Sequence, residues 1–374
     1  MKKSDGTFWD KINEEWLSHS LYIAFLEARK GKLKTADEYN FEIYWRENIR
    51  RLTRCILDKK YEPSRSVAFI IRKPVIREIF AAPFRDRVVH HLLYNEVAEW
   101  WDRRLINNSF SCRKEKGVLY GIKRLEKDIA RASNNYTKKA YVIKLDVQGY
   151  FMSLSRRDLF KRAVWGLKKQ FPRRGPKYQL LKYLWHQIIF DDPVKGVRLR
   201  RPLDSWKDLA VNKSLLHQPK GRGIVIGNLS SQLLSNIYLD LLDRFVKQKL
   251  GYKYYGRYVD DFYIVVSEED YLQAKRDIKV IEEYLLSLGL ILHPKKRYIQ
   301  SIDKGVNFLG MVLYPHKIVP GKRFKGEFYK AVHECVMGHR KTEAIISYLG
   351  YCKHCNAKML CKKMFDSVGW EYRY

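Results

Sequence analysis

Two adjacent carboxylates, Asp260 and Asp261, stand inside the run Tyr254–Val266, with aromatic and β-branched residues on both sides. Such flanks favour paired strands, so the two acids read as lying at or near the tip of a β-hairpin. Adjacent carboxylates repel each other, and a cation between them removes the repulsion; hard oxygen ligands of this kind suit Mg²⁺. A pair of such ions can clamp the attacking and leaving oxygens of a phosphoryl transfer. Two ions call for a third acid. Asp146 is the candidate, because it ends the buried-strand pattern Ala140–Leu145 and is followed by Val147, Gln148, Gly149, Tyr150 and Phe151. The competing reading of Asp146 is a turn or helix-capping residue after a strand.

The elements that must position these acids follow from periodicity. Residues 8–60 read as helical, with Trp9, Ile12, Trp16, Leu21, Ile23 and Leu26 at helix-compatible spacings. Residues 67–71 and 75–80 read as strands joined by a turn at Arg72, Lys73 and Pro74, and 85–102 as a helix. Residues 156–190 read as helices broken around Pro172–Pro176, and 191–222 as a basic, loop-rich stretch. Helices are expected over 229–249 and 268–288, two short strands near 297–314, and a basic, mostly helical segment from Pro320 onward. Strands alternating with helices around a few acids imply an α+β class.

Composition narrows the partners. A chain of 374 residues allows two or three packed subdomains, and 46% hydrophobic with 14% aromatic content excludes a disordered tail. The net charge of +32 calls for a polyanion, with nucleic acid first. The N-terminus is polar and no apolar run reaches the length of a membrane span, so no membrane association and a cytoplasmic setting are expected. Six cysteines are sparse for this length and fit a reducing compartment. Cys352 and Cys355 with Cys361 invite a zinc reading, but the spacing lacks a second pair, so ordinary buried thiols are expected.

The Tyr258–Asp261 hairpin resembles the catalytic hairpin of reverse transcriptases, and further blocks follow in that family's order from Lys73 to Gly310. The resemblance implies a right-hand polymerase with fingers, a palm of antiparallel sheet and helices, and a helical thumb. The implied segments are residues 1–140 for N-terminal helices and fingers, 141–163 for the first part of the palm, 164–222 for fingers and an insertion, 223–318 for the rest of the palm, and 319–374 for a basic thumb. It also implies that Asp146, the Val147 carbonyl, Asp260 and Asp261 hold two Mg²⁺ ions, with Mn²⁺ as a substitute. Phe151 would lie under the sugar of the incoming deoxynucleoside triphosphate and exclude a 2′-hydroxyl. Arg77 and Arg85 would hold nucleotide phosphates, since a guanidinium pairs two phosphate oxygens at once. Arg87, Arg113 and Lys116 would contact nucleic acid, with at least one arginine of the first block structural. Lys296 would stand near the triphosphate and help protonate pyrophosphate. Leu309 and Gly310 would belong to the primer grip. The competing reading for each basic residue is a solvated surface.

One block narrows the resemblance. Most bacterial reverse transcriptases carry Gln-Gly-X-X-X-Ser-Pro where this chain has Ile226, Gly227, Asn228, Leu229, Ser230, Ser231 and Gln232. An aliphatic residue in place of Gln, and Gln in place of Pro, resembles the enzymes of diversity-generating retroelements, carried by bacteria, archaea and phages. Asn212–Leu216 and Ser347–Asn356 resemble that group too. The resemblance implies RNA-templated cDNA that is error-prone opposite adenine, with Ile226 and Gln232 shaping the nucleotide pocket. It also implies a template RNA, a primer duplex and a small basic oligomeric accessory variability protein as partners. The cations after Pro320 would line the duplex backbone, and no RNase H or nuclease domain is expected in the short stretch that follows Gly310. The rivals are a group II intron or retron enzyme, and a catalytically idle RNA-binding scaffold.

Overall fold

The structure, a computed structural model, describes residues 13–31, 34–72 and 75–372. Trp9, Ile12 and the turn residues Lys73 and Pro74 lie outside the described residues. In chain order the elements are α1 (Glu14–Ala28), α2 (Ala36–Ile43), α3 (Trp45–Leu57), β1 (Val67–Ile71), β2 (Arg77–Ala81), α4 (Phe84–Arg104), α5 (Val118–Ala132), β3 (Ala140–Val147), α6 (Tyr150–Ser153), α7 (Arg156–Gln170), α8 (Pro176–Phe190), β4 (Arg198–Leu199) and α9 (Leu229–Arg244). After α9 come β5 (Tyr254–Tyr258), β6 (Asp261–Ser267), α10 (Tyr271–Ser287), β7 (Leu292–Ser301), β8 (Val306–Phe308), β9 (Met311–Tyr314), β10 (Lys317–Pro320), α11 (Lys322–Val336), α12 (Glu343–Cys352) and α13 (Lys358–Asp366). They form two compact units.

The first unit comprises Met1–Ile106, Gln148–Asp243 and Leu285–Ile291. Asn13 caps α1 by accepting from the Glu15 amide at 2.8 Å. Leu17, Leu21, Ala24, Phe25 and Ala28 then form one buried stripe at helical spacing. That stripe packs on α3 and α4, and the rings of Phe25, Phe41 and Phe84 meet with centroids 5.2–6.0 Å apart. A small sheet in the order β2-β1-β4 lies in the same unit. The basic stretch 191–222 is irregular apart from β4 and short 3₁₀ turns, and one buried carboxylate ties it down. Glu78 on β2, with no exposed surface, accepts from Trp206 Nε1 at 2.7 Å, Ser214 Oγ at 2.8 Å and the Leu215 amide at 2.6 Å. Three donors on one carboxylate satisfy a group that would otherwise be costly to bury.

The second unit comprises Asn107–Val147, Arg244–Tyr284 and Leu292–Tyr374. Its centre is an antiparallel sheet in the order β5-β6-β3-β7. Val142, Tyr263 and Val265 project from it into a core with Phe110, Ile122, Leu125 and Ile129. Gly256 on β5 is required by that core: a Cβ there would stand 2.6 Å from the Tyr263 hydroxyl oxygen and 2.7 Å from the Phe110 ring. Helices α11–α13 bury their own cluster of Phe328, Val332, Ile345, Cys352 and Cys361. All six cysteines are free thiols. Contact with Cys355 and Cys361, together with burial, pushes the Cys352 thiol far up, while contact with Cys352 lowers Cys361 to about 7.

One expectation about elements needs correction, and one helix carried no expectation. The region near 297–314 holds more than two short strands: β7 starts at Leu292 and runs ten residues, and β8, β9 and β10 form a separate three-stranded sheet. The stretch Pro294-Lys295-Lys296 resembles a turn in sequence, yet β7 is an edge strand, where proline and exposed lysine are tolerated. Helix α5, with Ile122, Leu125 and Ile129 on its buried face, was not anticipated, because its charged residues mask a short apolar stripe. Among the described residues no helix is long and apolar enough to cross a membrane.

Candidate active site

The three acids meet through strand register. In the β3–β6 pair Asp146 lies directly opposite Asp261, at the end of a register that begins at Ala140↔Ser267. In the β5–β6 pair Tyr258 lies opposite Asp261, which leaves Val259 and Asp260 as a two-residue tip. The Val147 amide donates to the Asp260 carbonyl at 3.1 Å, so the tip is also tied to the end of β3.

The site is acidic at its centre and carries two lysines. Asp261 Oδ1 is buried with no hydrogen-bond partner. Burial raises the Asp261 carboxyl to about 6; Lys144 opposes that rise, and Asp146 and Asp260 add to it. Lys296 on β7 donates to Asp146 Oδ2 at 2.8 Å, and Lys144 on β3 stands 4.0 Å from Asp261 Oδ2 while donating to the Asn307 carbonyl at 3.1 Å. Lys144 was absent from the expected site. The signal was available in the two-residue period of a strand, which puts residues 144 and 146 on one face.

Among the described residues no group of three His, Cys, Asp or Glu side chains is placed to enclose a metal ion by itself. Mg²⁺ seldom needs such a cage: it uses one or two carboxylates, keeps several waters, and takes further oxygens from substrate phosphates. An orphaned buried carboxylate oxygen and a second carboxylate opposite it fit a site for a hard cation, with which Lys296 and Lys144 would compete for the acids.

The basic residues expected at phosphate differ in their surroundings. Arg77 on β2 is exposed. Arg85 donates to Asp86 Oδ1 and the Glu62 carbonyl and lies over the Tyr61 ring, with its guanidinium carbon 5.3 Å from the centroid. Arg87 donates to the Ala28 carbonyl at 2.9 Å and stands 3.5 Å from Glu38, whose side chain is fully buried. Arg85 and Arg87 each donate to protein groups. Removing a partner from a buried ion pair leaves an uncompensated charge, so Arg87→Ala should destabilise the protein by roughly 3 kcal/mol. A thermal melt is the check, and an unchanged midpoint with weakened RNA affinity would return Arg87 to the nucleic-acid surface.

Arg113 donates to the Ser109 carbonyl at 3.1 Å, and Lys116 donates to both the carbonyl and the side-chain oxygen of Asn107 at 2.9 Å. Leu309 and Gly310, with φ of 49° and 88°, form the turn between β8 and β9, where the Gly310 carbonyl accepts from the Gly321 amide at 2.9 Å. In the first unit Phe151 lies on α6, and its carbonyl accepts from Ile224 at 2.9 Å. Gly149, at φ 56°, brings the chain into α6 with the Asn212 carbonyl oxygen only 2.6 Å from where a Cβ would sit. Ile226 is half-buried against the cluster of Ala68, Phe80 and Met152, and its carbonyl accepts from Phe80 at 3.2 Å. Gln232 lies in the first turns of α9, beside Ser230, whose hydroxyl meets His90 Nδ1 at 2.7 Å. Burial lowers that histidine to about 3, so it is neutral.

No curated protein matches this chain. Among solved structures, apo telomerase from Candida tropicalis aligns with a TM-score of 0.48 and 14% identity over 82% of this chain and 58% of that one. Telomerase from Candida tropicalis in complex with the TWJ fragment of telomeric RNA aligns with a TM-score of 0.49 and 13% identity over 82% and 54%. The chain therefore spans less than two thirds of the length of those telomerase chains. Residues 71–313, which include all three acids and the whole β5-β6-β3-β7 sheet, match the family described as reverse transcriptase (RNA-dependent DNA polymerase). Over that span the order of helices and antiparallel strands is that of a right-hand polymerase, and the chain belongs to the reverse transcriptase family.

Proposed function

We propose that this chain is the RNA-directed DNA polymerase of a diversity-generating retroelement and makes cDNA that is error-prone opposite template adenine. Asp146, the Val147 carbonyl, Asp260 and Asp261 would hold two Mg²⁺ ions. Such ions supply charge neutralisation to a triphosphate and lower the pKa of a primer 3′-hydroxyl. The chain's own part is to hold the acids in register, to present Lys296 at the carboxylates as a source of positive charge and of a proton for pyrophosphate, and to select the nucleotide. Selection is assigned to Phe151, which would bar a 2′-hydroxyl, and to Ile226 and Gln232. Arg77, exposed on β2, is offered to phosphate. Template RNA, a primer duplex, deoxynucleoside triphosphates and a small basic accessory protein are the proposed partners.

The observation that carries the subfamily reading is Ile226 in its block. An aliphatic side chain packed on an apolar cluster offers no hydrogen bond to a nascent base pair. A site that hydrogen-bonds its substrate rejects the wrong one far better than a site that relies on shape. Ile226→Gln should therefore lower misincorporation opposite adenine by about tenfold, as one lost positioning contact implies. Sequencing cDNA from both proteins on one RNA template reads this directly. An unchanged error spectrum would remove Ile226 from the account.

A further inference from the structure

The tip of the acid hairpin holds a strained residue, and the groups that hold it have no assigned role. Val259 has φ 57°, in the left-handed region that a β-branched side chain resists. Both polar ends of this residue are gripped. Its carbonyl accepts from Arg257 Nη1 at 2.8 Å, and its amide donates to Ser111 Oγ at 3.0 Å. Arg257 is fully buried, and its Nη2 donates to Ser109 Oγ at 3.2 Å. Its backbone pairs with the same segment: the Arg257 amide donates to the Asn108 carbonyl at 2.8 Å, and the Phe110 amide donates to the Arg257 carbonyl at 2.9 Å. Asn108 Nδ2 adds a bond to the Tyr255 carbonyl at 2.8 Å. The segment Asn108–Ser111, just ahead of Arg113 and Lys116, is thus a strap laid along β5.

We propose that Arg257 and Ser111 are positioning residues for polymerisation: they hold Val259 in its left-handed conformation and so fix where the next residue, Asp260, points its carboxylate. This rests on the reading of Asp260 as a metal ligand. A buried guanidinium is suited to the task because its fork reaches two acceptors at once, here the Val259 carbonyl and Ser109 Oγ. A lysine offers a single point charge and cannot span both. A strained residue persists only where its surroundings over-determine it, so loosening either grip lets the tip relax and the carboxylate turn away.

The test measures Mn²⁺ binding to the intact protein by electron paramagnetic resonance, without nucleotide, beside primer extension as a function of Mg²⁺. Ser111→Ala and Arg257→Lys should each weaken Mn²⁺ binding and raise half-saturating Mg²⁺ by about three- to tenfold, leaving KM for the nucleotide unchanged. Adding Val259→Asn, a residue that tolerates φ near +57°, should restore Ser111→Ala to within twofold of the parent. A defect that Val259→Asn does not repair, or metal binding unaffected by both single changes, overturns the inference. Asp260→Asn separates the two readings. If it binds Mn²⁺ as the parent does, the metal-ligand reading fails; if it loses the ion while Ser111→Ala does not weaken it, only the positioning role fails. Arg257→Lys is scored only if its melting midpoint matches the parent, and Ser111→Ala, which removes one hydroxyl, carries the test otherwise.

Discussion

Asp260→Asn should abolish RNA-templated DNA synthesis, an expected loss of ~10³-fold or more, while leaving the melting temperature close to that of the parent. The size follows from where the residue sits. Asp260 occupies the two-residue tip of the β5–β6 hairpin, its carbonyl held by the Val147 amide at 3.1 Å. The amide substitute is nearly isosteric, so the strand register that sets Asp146 opposite Asp261 remains. What it lacks is the negative charge that would hold a divalent cation against a triphosphate. Single-turnover primer extension at saturating nucleotide checks it. A residual rate within tenfold of the parent would show that the carboxylate is not part of the chemistry.

Asp261→Asn is expected to act in two directions at once: synthesis is lost to a similar degree, and the metal-free protein becomes more stable. Burial, with Asp146 and Asp260 nearby, holds the Asp261 carboxyl at about 6 against an ordinary value of 3.8. The folded chain therefore binds this proton more tightly than the unfolded chain does. The stability that comes with it is fully present below about pH 3.8 and is lost as the pH rises through about 6. At pH 8 the buried charge costs roughly 2–3 kcal/mol, which asparagine does not incur. In a chelator at pH 8 the variant should melt about 5 °C higher than the parent, and the gap should close toward pH 4. A lower midpoint, or a gap that ignores pH, would contradict this account of the site.

The sequence made the placement of the acids legible because Asp146 and Asp261 sit on strands and Asp260 on the tight turn beside one of them. The near-continuous apolar, β-branched and aromatic runs beside Asp146 and Asp261 mark both strands, and a hairpin leaves little freedom in where Asp260 falls. The two-residue period of a strand should have found Lys144, two residues before Asp146. The basic residues were harder to place. Arg85, Arg87, Arg113 and Lys116 look alike in a sequence whether they meet phosphate or a neighbouring carbonyl, since only the fold brings Glu38, Glu62, Ser109 and Asn107 to them. Glu78 carries no local signal that its carboxylate is the buried anchor of a loop more than 120 residues away. Long-range burial of polar groups is decided by tertiary packing, which periodicity does not report. Strand β7 was partly hidden for a different reason: an edge strand accepts the proline and lysines that elsewhere would end it.

The most direct test of the account is to incubate the purified chain with an RNA template, primer, deoxynucleoside triphosphates and Mg²⁺, with and without a small basic accessory protein, and to sequence the product. The account predicts cDNA whose errors concentrate opposite template adenine, and no product from Asp260→Asn. Faithful cDNA would contradict the diversity-generating assignment, and the absence of cDNA under every condition, with tight RNA binding, would contradict polymerisation itself in favour of an RNA-binding scaffold.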